Sequence, residues 1–370
     1  MPQGSIDGSS FSLFSWFLLH KRRYLCPSFC QMILLLLIAK TKKAIIPLMH
    51  PLFLLDTEIA IKYLKDQFES LLAKKLSLIR VSAPLFVEES TGLNDNLNGT
   101  EESVSFQIGE KKIEIVHSLA KWKRYALKEY GFPLHQGLYT DMNAIRKDEV
   151  LDNLHSIYVD QWDWEKAILQ SDRNEGYLSQ VVSSIYEVIL EIASLSNKKW
   201  GYEYHLPKQI VFLSSNELEE AYPDKTPKER EYLASKEHGA IFLSKIGWPL
   251  RNGKPHDGRS ADYDDWNLNG DIIVFDEVID APLELSSMGI RVDAEALKKQ
   301  LSHKHELHKL DNPYCQSIIK GELPFTIGGG IGQSRLCMYY LKKRHIGEVQ
   351  SSYWPEQMRE ELRKQGIVLL

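Results

Sequence analysis

The chain of 370 residues has little cysteine, no excess of basic charge and no long apolar run. Its four cysteines, Cys26, Cys30, Cys315 and Cys337, are too few and too scattered for a disulfide framework. The only close pair has no second Cys or His pair to complete a zinc site. The net charge of −5 gives no general attraction to nucleic acid. These shortages favour a reduced, cytoplasmic protein.

Residues 1–48 differ in composition from the rest of the chain. They carry six Lys or Arg and one Asp, so about +5 of charge lies here and about −10 elsewhere. Their apolar patches, 11–19 and 32–39, are each far shorter than the roughly 20 residues that span a bilayer, so no stable membrane span is expected. We interpret 1–48 as a poorly ordered or non-native extension, with Met49 as an alternative start. Peripheral membrane attachment and a targeting peptide stay open as alternatives.

Residues 49–370 are predicted to form one domain in which strands and helices mix without a regular βαβ pattern. This mixture predicts an α+β fold with a mostly antiparallel sheet flanked by helices. The predicted elements are helices at 57–76, 119–130 and 179–195, a hairpin of strands at 137–145 and 156–165, and strands at 210–213, 240–243, 271–275, 284–292 and 326–332. A charged helix that follows the capping box Thr226–Glu229 is predicted to lie at the surface, since it has little apolar period.

A glycine-rich segment, residues 325–335, lies near the C-terminus. No Lys-Ser or Lys-Thr follows its glycines, which excludes a Walker loop, and Gln333 stands where a dinucleotide fingerprint needs its third glycine. The pattern G-x-G-x-G-x-x-R is met by Gly328, Gly330, Gly332 and Arg335. Such glycines allow a strand to pass close to a nucleotide, and an arginine at the following helix can bind phosphate. A glycine-rich turn with a surface arginine is the alternative.

The predicted hairpin carries a second group of polar residues. Arg146-Lys-Asp-Glu149 follows its first strand, where an arginine can hold an α-phosphate in bidentate fashion. Strand alternation places Gln161, Asp163 and Glu165 on one face and two tryptophans on the other. Three polar side chains on one strand face indicate the floor of a binding site, with a solvated strand face as the alternative.

These segments resemble the motifs of known proteins in their order and in their residues. Pro84, the hairpin with Arg146-x-x-Glu149, and the glycine run with Arg335 resemble the three motifs of class II aminoacyl-tRNA synthetases. The runs that are more closely similar to ammonia-dependent asparagine synthetases (aspartate–ammonia ligases) are 117–124, 154–165, 262–266, 268–271 and 284–291. The resemblance covers about residues 57–370, although only Asn267 stands between Trp266 and Leu268, where that family's pattern suggests a longer loop.

The resemblance implies a class II synthetase-like catalytic fold for residues 49–370 and a ligase reaction. L-Aspartate, ammonia and ATP would give L-asparagine through a β-aspartyl-adenylate, with release of AMP and pyrophosphate. Arg146 is expected at the α-phosphate and Arg335 at the distal phosphates. The further residues expected at ATP are Glu149, Ser287 and Gly330. Mg²⁺ is implied as well, with Asp271 and Glu284 as its oxygen ligands.

The same resemblance implies a site for the amino acid and for ammonia. Lys123 and Arg291 are expected to bind the substrate carboxylates. Asp95 and Asp264 are expected at the ammonium group or the incoming ammonia, and Asp95 is our first choice for the carboxylate that takes a proton from ammonium. The remaining residues expected at aspartate are Gln161, Asp163 and Ser286.

Three competing functions can be weighed against this one. An aspartyl- or asparaginyl-tRNA synthetase carries an anticodon-binding β-barrel before its catalytic core. Only about 55 residues precede the first motif helix here, without alternating strands, so no tRNA partner is expected. A glutamine-dependent synthetase needs a cysteine after its initiator, where this chain has Pro2, or His50 after Met49. A regulatory homologue would be expected to lose charged ligands that this chain keeps. The helix and strand before Pro84 resemble the class II dimer-forming unit, which predicts a homodimer.

Overall fold

A computed structural model of the protein describes residues 54–95, 97 and 101–370. The predictions for residues 1–48 lie outside the described residues. The helices are α1 (Leu54–Leu76), α2 (Ala120–Glu129), α3 (Glu175–Trp200), α4 (Ser215–Ala221), α5 (Pro227–His238), α6 (Ala294–His303), α7 (Pro313–Ile319), α8 (Gln333–Tyr340) and α9 (Glu356–Lys364). The strands are β1 (Leu78–Arg80), β2 (Phe86–Glu88), β3 (Ser105–Ile108), β4 (Lys111–Ile115), β5 (Gly137–Ile145), β6 (Tyr158–Ala167), β7 (Val211–Ser214), β8 (Ala240–Ser244), β9 (Asp264–Asp276), β10 (Ala281–Arg291) and β11 (Thr326–Gly332).

Eight strands form one sheet in the order β1-β5-β6-β11-β10-β9-β8-β7. Its outer pairs, β1 with β5 and β7 with β8, are parallel, and the neighbours between them are antiparallel. Strands β2, β4 and β3 form a separate antiparallel sheet. The predicted α+β fold with a mostly antiparallel sheet is therefore confirmed. Strand β9 includes Asn267, and its pairing with β10 shifts register around this residue, where Asn269 lies opposite Gly289 and Asp264 lies opposite Arg291.

Helices α1 and α3 belong to the main core on one face of the large sheet. Phe68 of α1 stacks on Trp162 of β6, with the ring centroids 4.9 Å apart. Helix α3 is long and apolar enough to cross a membrane by length and composition. Its Ile185, Ile189 and Ile192 are fully buried in this core. Burial of each such side chain contributes about 1.5–3 kcal/mol, so core packing accounts for the apolar face of the helix.

Helix α5 corrects one prediction. The capping box is present, since the Thr226 hydroxyl accepts from the Glu229 amide and the Thr226 amide donates to the Glu229 carboxylate at 2.8 Å. The expected surface position is wrong in part, because Arg230 and Ser235 are buried. Arg230 Nε donates to the Tyr222 carbonyl at 3.0 Å. A buried face that is polar leaves no trace in a hydrophobic pattern.

Candidate active site

A cavity of about 410 Å³ opens on the face of the large sheet that carries the polar side of β6. Its walls come from β6, β10 and β11, the segment after β5, and the loop before β9. Of the residues predicted for the site, those that line the cavity are Asp95, Lys123, Arg146, Glu149, Gln161, Asp163, Asp264, Glu284, Ser286, Ser287, Arg291, Gly330 and Arg335. Asp271 is the predicted residue that does not line it. Residues more than 200 positions apart therefore meet in one place.

The floor of the cavity follows from the alternation of β6. Gln161 and Asp163 line the cavity, whereas Trp162 and Trp164 point the other way and are fully buried in the main core. Buried aromatic side chains on one face fix the strand, so the polar side chains on its other face have a rigid base. The predicted alternation is thus present.

The glycines of β11 make room for these polar side chains. In the sheet, Gly328 lies opposite Glu165, and Gly330 lies opposite Asp163. A Cβ atom at Gly330 would lie 2.4 Å from the Gln161 Oε1 atom, a separation that real Cβ atoms do not show. The side chains of β6 therefore extend over the bare backbone of β11. The sequence pattern indicated close approach of a nucleotide, and the structure adds close approach of neighbouring side chains.

Arg291 is the centre of a buried charge cluster. It is 1% exposed, its Nε donates to Glu165 Oε1 at 3.0 Å and its Nη2 to Glu165 Oε2 at 2.7 Å. Its Nη1 donates to Asp264. Burial raises the pKa of Asp264, while the Arg291 guanidinium opposes that shift. Two carboxylates therefore hold this arginine in a fixed orientation at the cavity wall.

Lys123 reaches the same region from α2. Its ammonium donates to the Gly329 carbonyl at 2.8 Å and lies 3.2 Å from the Asp163 carboxylate. Burial lowers the pKa of Lys123, and Asp163 partly counteracts this. Asp163 Oδ1 and Ser286 Oγ are buried without a hydrogen-bond partner in the described part of the chain. Buried polar atoms of this kind are expected where a polar ligand binds.

Asp95 forms a second polar position, on the segment between β2 and β3. It is 1% exposed, and its Oδ1 accepts from the Leu97 amide at 3.0 Å. Its Oδ2 has no partner among the described residues. Burial, opposed by the positive charges of Lys121 and Arg146, raises the pKa of Asp95 to about 6. A carboxyl group with this pKa can exchange a proton near neutral pH.

The two predicted metal ligands are each paired with an arginine. Asp271 is bonded to Arg259, and of these two residues only Arg259 lines the cavity. Glu284 lines the cavity and lies 3.6 Å from Arg335 Nη1. Burial, with the nearby Glu284 charge in the same direction, raises the pKa of Asp271 to about 7, although Arg259 opposes this shift.

The donor set can be tested against Mg²⁺. Among residues 54–95, 97 and 101–370, no group of three His, Cys, Asp or Glu side chains forms a complete cage for a metal ion. Two carboxylates fit Mg²⁺ all the same, because this ion keeps several waters and usually binds one or two carboxylates together with substrate phosphates. Glu284 could hold it directly, and Asp271 could do so once its arginine has moved.

Sequence reasoning missed three polar residues of the cavity wall. Arg259 and Tyr263 belong to the loop before β9, and Asp160 lies on β6 one residue before Gln161. Asp160 accepts from the Ser334 hydroxyl at 2.6 Å and so joins β6 to the start of α8. A weak signal for Arg259 was available, because this arginine follows Gly258 and stands three residues before the Asp262–Trp266 run.

Comparison with known proteins adds the family. The family model for aspartate-ammonia ligase matches residues 55–366. The chain is 54% identical over 317 residues to an aspartate–ammonia ligase of Bacillus mycoides, covering 85% of this chain and 97% of that protein. It is 54% identical over 320 residues to one of Limosilactobacillus fermentum, covering 85% and 95%.

Solved structures with the same fold are synthetases. The asparaginyl-tRNA synthetase of Pyrococcus horikoshii, in complex with asparaginyl-adenylate, has a TM-score of 0.59 at 14% identity and covers 81% of this chain and 70% of that one. The enzyme of Entamoeba histolytica has a TM-score of 0.57 at 11% identity, with 81% and 68% covered. The catalytic fold is thus that of class II aminoacyl-tRNA synthetases, and the chain belongs to the aspartate-ammonia ligase family.

Proposed function

We propose that the protein converts L-aspartate, ammonia and ATP into L-asparagine, AMP and pyrophosphate. The observation that carries this proposal is the shared cavity. Arg146 and Arg335, to which we assign phosphate binding, line the same cavity as the Lys123–Asp163 pair and Asp95. Family membership and 54% identity to aspartate–ammonia ligases support the same reaction.

Activation comes first, because a carboxylate is a poor electrophile at neutral pH. An oxygen of the aspartate β-carboxylate attacks the α-phosphorus of ATP, the bond from that phosphorus to the bridging oxygen breaks, and pyrophosphate leaves. Arg146 holds the α-phosphate and Arg335 the distal phosphates, so that negative charge is neutralised where it develops. The residues that assist at the nucleotide are Glu149, Ser287 and Gly330. Mg²⁺, when bound by Glu284 and Asp271, supplies further neutralisation of the phosphate oxygens.

Amide formation follows. The nitrogen of ammonia attacks the acyl carbon, the bond from that carbon to the AMP oxygen breaks, and the nitrogen loses a proton to solvent. Lys123 and Arg291 orient the substrate carboxylates, and Gln161, Asp163 and Ser286 complete the floor. Asp95 takes the proton from ammonium, because its carboxylate is buried and its pKa of about 6 leaves it mostly ionised at pH 7. Asp264 is the alternative for this role.

The assay uses purified protein, L-aspartate, Mg-ATP and ammonium chloride, with no tRNA added. We expect asparagine together with AMP and pyrophosphate in equal amounts. ADP as the product would replace the adenylate by an acyl phosphate and would remove the roles given to Arg146 and Arg335. Aspartate-dependent exchange of pyrophosphate into ATP without asparagine would point to a tRNA synthetase or a regulatory protein. The variant Arg146→Gln removes the residue that we place at the α-phosphate. Arg251→Gln is its matched control, since Arg251 is exposed and pairs with Glu220 outside the cavity.

Assembly and location extend the proposal. A homodimer is supported by the exposed apolar side chains of α1 and β1, the unit that resembles the class II dimer-forming motif. A cytoplasmic location is supported by Cys315 and Cys337, which are free and buried, with the pKa of each thiol raised to about 12 by burial.

A further inference from the structure

Both carboxylates that suit a metal ion are neutralised by arginines of the same site. The Nη2 of Arg259 donates to Asp271 Oδ2. Arg335 Nη1 donates to the Glu284 carbonyl at 3.2 Å and lies 3.6 Å from its carboxylate. Arg259, Glu284 and Arg335 line the cavity, whereas Asp271 does not line it and is bonded to Arg259. Only Oδ2 of Asp271 is bonded to Arg259, since Oδ1 is buried without a hydrogen-bond partner among the described residues. A metal ion that binds both oxygens of this carboxylate therefore has to displace Arg259.

Charge balance favours an exchange of partners. A metal ion arriving alone would have to displace Arg259 from Asp271 and leave its guanidinium with only the half-exposed Asp257 as a counter-charge, which is costly in a partly buried place. A metal ion arriving with a polyphosphate brings the missing negative charges. The planar fork of an arginine matches phosphate oxygens as well as it matches a carboxylate. Each arginine then gains phosphate oxygens as its carboxylate gains the metal.

The position of Arg259 in the chain suits such a movement. It lies in an irregular loop that is held at both ends by buried side-chain contacts. His256 Nε2 lies 3.0 Å from Glu231, and Lys121 lies 2.6 Å from Asp262. Between these anchors, Arg259 Nη1 also donates to Asp257 at 3.2 Å. The guanidinium already divides its bonds between two carboxylates, and only its side chain has to turn.

We propose that Arg259 is a further phosphate-binding residue of this enzyme, and that its pairing with Asp271 keeps metal ions out until they arrive as the metal–ATP complex. The inference rests on the proposed function for the identity of the nucleotide. It adds an order to binding: metal and nucleotide enter together, and Arg259 passes from Asp271 to the distal phosphates as Asp271 passes to the metal.

The test compares wild-type protein with Arg259→Gln by two binding measurements. Mn²⁺ alone serves as the metal probe and is followed by electron paramagnetic resonance, and Mn-ATP is followed by calorimetry. Arg259→Gln frees Asp271 for the metal ion and removes a phosphate ligand, so its effects on the affinities for Mn²⁺ alone and for Mn-ATP have opposite signs. We expect Mn²⁺ alone to bind about tenfold more tightly and Mn-ATP about tenfold more weakly, each about 1.4 kcal/mol.

Controls separate this exchange from a loss of folding. Arg251→Gln should leave both constants unchanged, and Arg259→Lys should keep Mn²⁺ alone weak while Mn-ATP binding is only partly retained. Urea unfolding shows whether Arg259→Gln is folded, and if it is not, Arg259→Lys and Arg259→Met are compared instead. A variant that weakens Mn²⁺ and Mn-ATP alike, or changes neither, would overturn the inference.

Neither measurement requires asparagine to form. If the wild-type protein makes asparagine while the Arg259 variants bind as it does, this inference fails and the proposed function stands. If the opposite-sign result appears in a protein that makes no asparagine, the inference stands and the proposed reaction fails.

Discussion

Glu165 and Arg291 meet directly over the backbone of Gly328. Arg291 Nη2 donates to Glu165 Oε2 at 2.7 Å, and a Cβ atom at Gly328 would lie 1.9 Å from that same oxygen. Glu165, Gly328 and Arg291 belong to three adjacent strands, β6, β11 and β10. The ion pair therefore exists only because the strand between its partners has no side chain at this position.

We expect Gly328→Ala to break this pair. The added methyl group would push Glu165 away from a fully buried arginine, and breaking a buried ion pair typically costs about 3–5 kcal/mol. Urea unfolding should show a lower midpoint, and the KM for aspartate should rise. Gly176→Ala in the first turn of α3, where the nearest atom is a side-chain oxygen at 3.2 Å, is the control; it should not lower the midpoint or change the KM. An unchanged midpoint in Gly328→Ala would show that the pair relaxes without loss.

Lys123→Met should separate the aspartate site from the ATP site. The ammonium lies against Asp163 and the Gly329 carbonyl, where we place a substrate carboxylate. A hydrogen bond to a charged group contributes about 1.5–3 kcal/mol, so the KM for aspartate should rise by about 10- to 100-fold. The KM for ATP should stay the same. Steady-state kinetics with each substrate varied in turn measures the two KM values. A rise in the KM for both aspartate and ATP would mean a general loss of structure.

The exposed pair of Lys75 and Glu187 supplies the matched control for that variant. Lys75→Met also replaces a paired lysine by methionine, but it lies on α1 outside the cavity, and both Michaelis constants should remain those of the wild-type protein.

Asp95 should set the acid limb of the pH profile. Burial raises its pKa to about 6, with Lys121 and Arg146 acting against and Asp262 acting with this shift. Because the carboxylate is the form that accepts a proton, the rate of asparagine formation should rise with pH through about 6. Asp95→Asn should lower the rate by about 10²-fold or more and should remove this limb. If the acid limb persists in Asp95→Asn, it belongs to another group, and Asp264 is the next residue to test.

The same shift predicts an effect on stability. A carboxyl group whose pKa is higher in the folded protein than in the unfolded chain favours folding below its unfolded pKa, and that contribution is lost as pH rises through the folded value. At pH 8 the buried charge of Asp95 therefore costs up to about 3 kcal/mol. Asp95→Asn should unfold at higher urea concentration than the wild-type protein at pH 8. The difference should shrink as pH falls from about 6 to 4, whereas exposed Glu361→Gln should show no such trend.

The homodimer prediction can be tested on α1 and β1. Leu55 and Ile59 on α1 and Ile79 on β1 are large apolar side chains that are more than half exposed. If this unit joins two protomers, Ile59→Lys and Ile79→Lys should convert dimers into monomers in sedimentation velocity experiments. Val368→Lys, a substitution at another exposed apolar residue, should leave the assembly as it is. A monomeric wild-type protein would contradict the prediction.

Local patterns carried much of the fold. The bounds of β5 agree with those predicted, and β11 and the start of α8 follow the glycine run as expected. Alternation and glycine content act over a few residues, so the sequence displays them directly. Strand β3 was missed because its four residues, Ser105–Ile108, are all exposed and leave no apolar signal.

Local sequence patterns could not predict which side chains from distant segments pair with each other. The sequence places Asp271 in a buried strand, but nothing near it shows that Arg259, from a loop, lies over its carboxylate. The partners of Arg291 are equally remote, since Glu165 precedes it by 126 positions. The predicted site residues came together in one cavity, while their pairing depends on three-dimensional packing.

Strand β6 alone separates Phe68 from the cavity. Trp162 stacks on this phenylalanine on one side, and Gln161 and Asp163 form the floor on the other. Helix α1 carries both Phe68 and the surface proposed for dimer formation. A partner protomer that packs on α1 would therefore influence the position of β6 and of the cavity floor where we place aspartate. The geometry of each reaction chamber would then be a property of the pair of protomers and not of one chain alone.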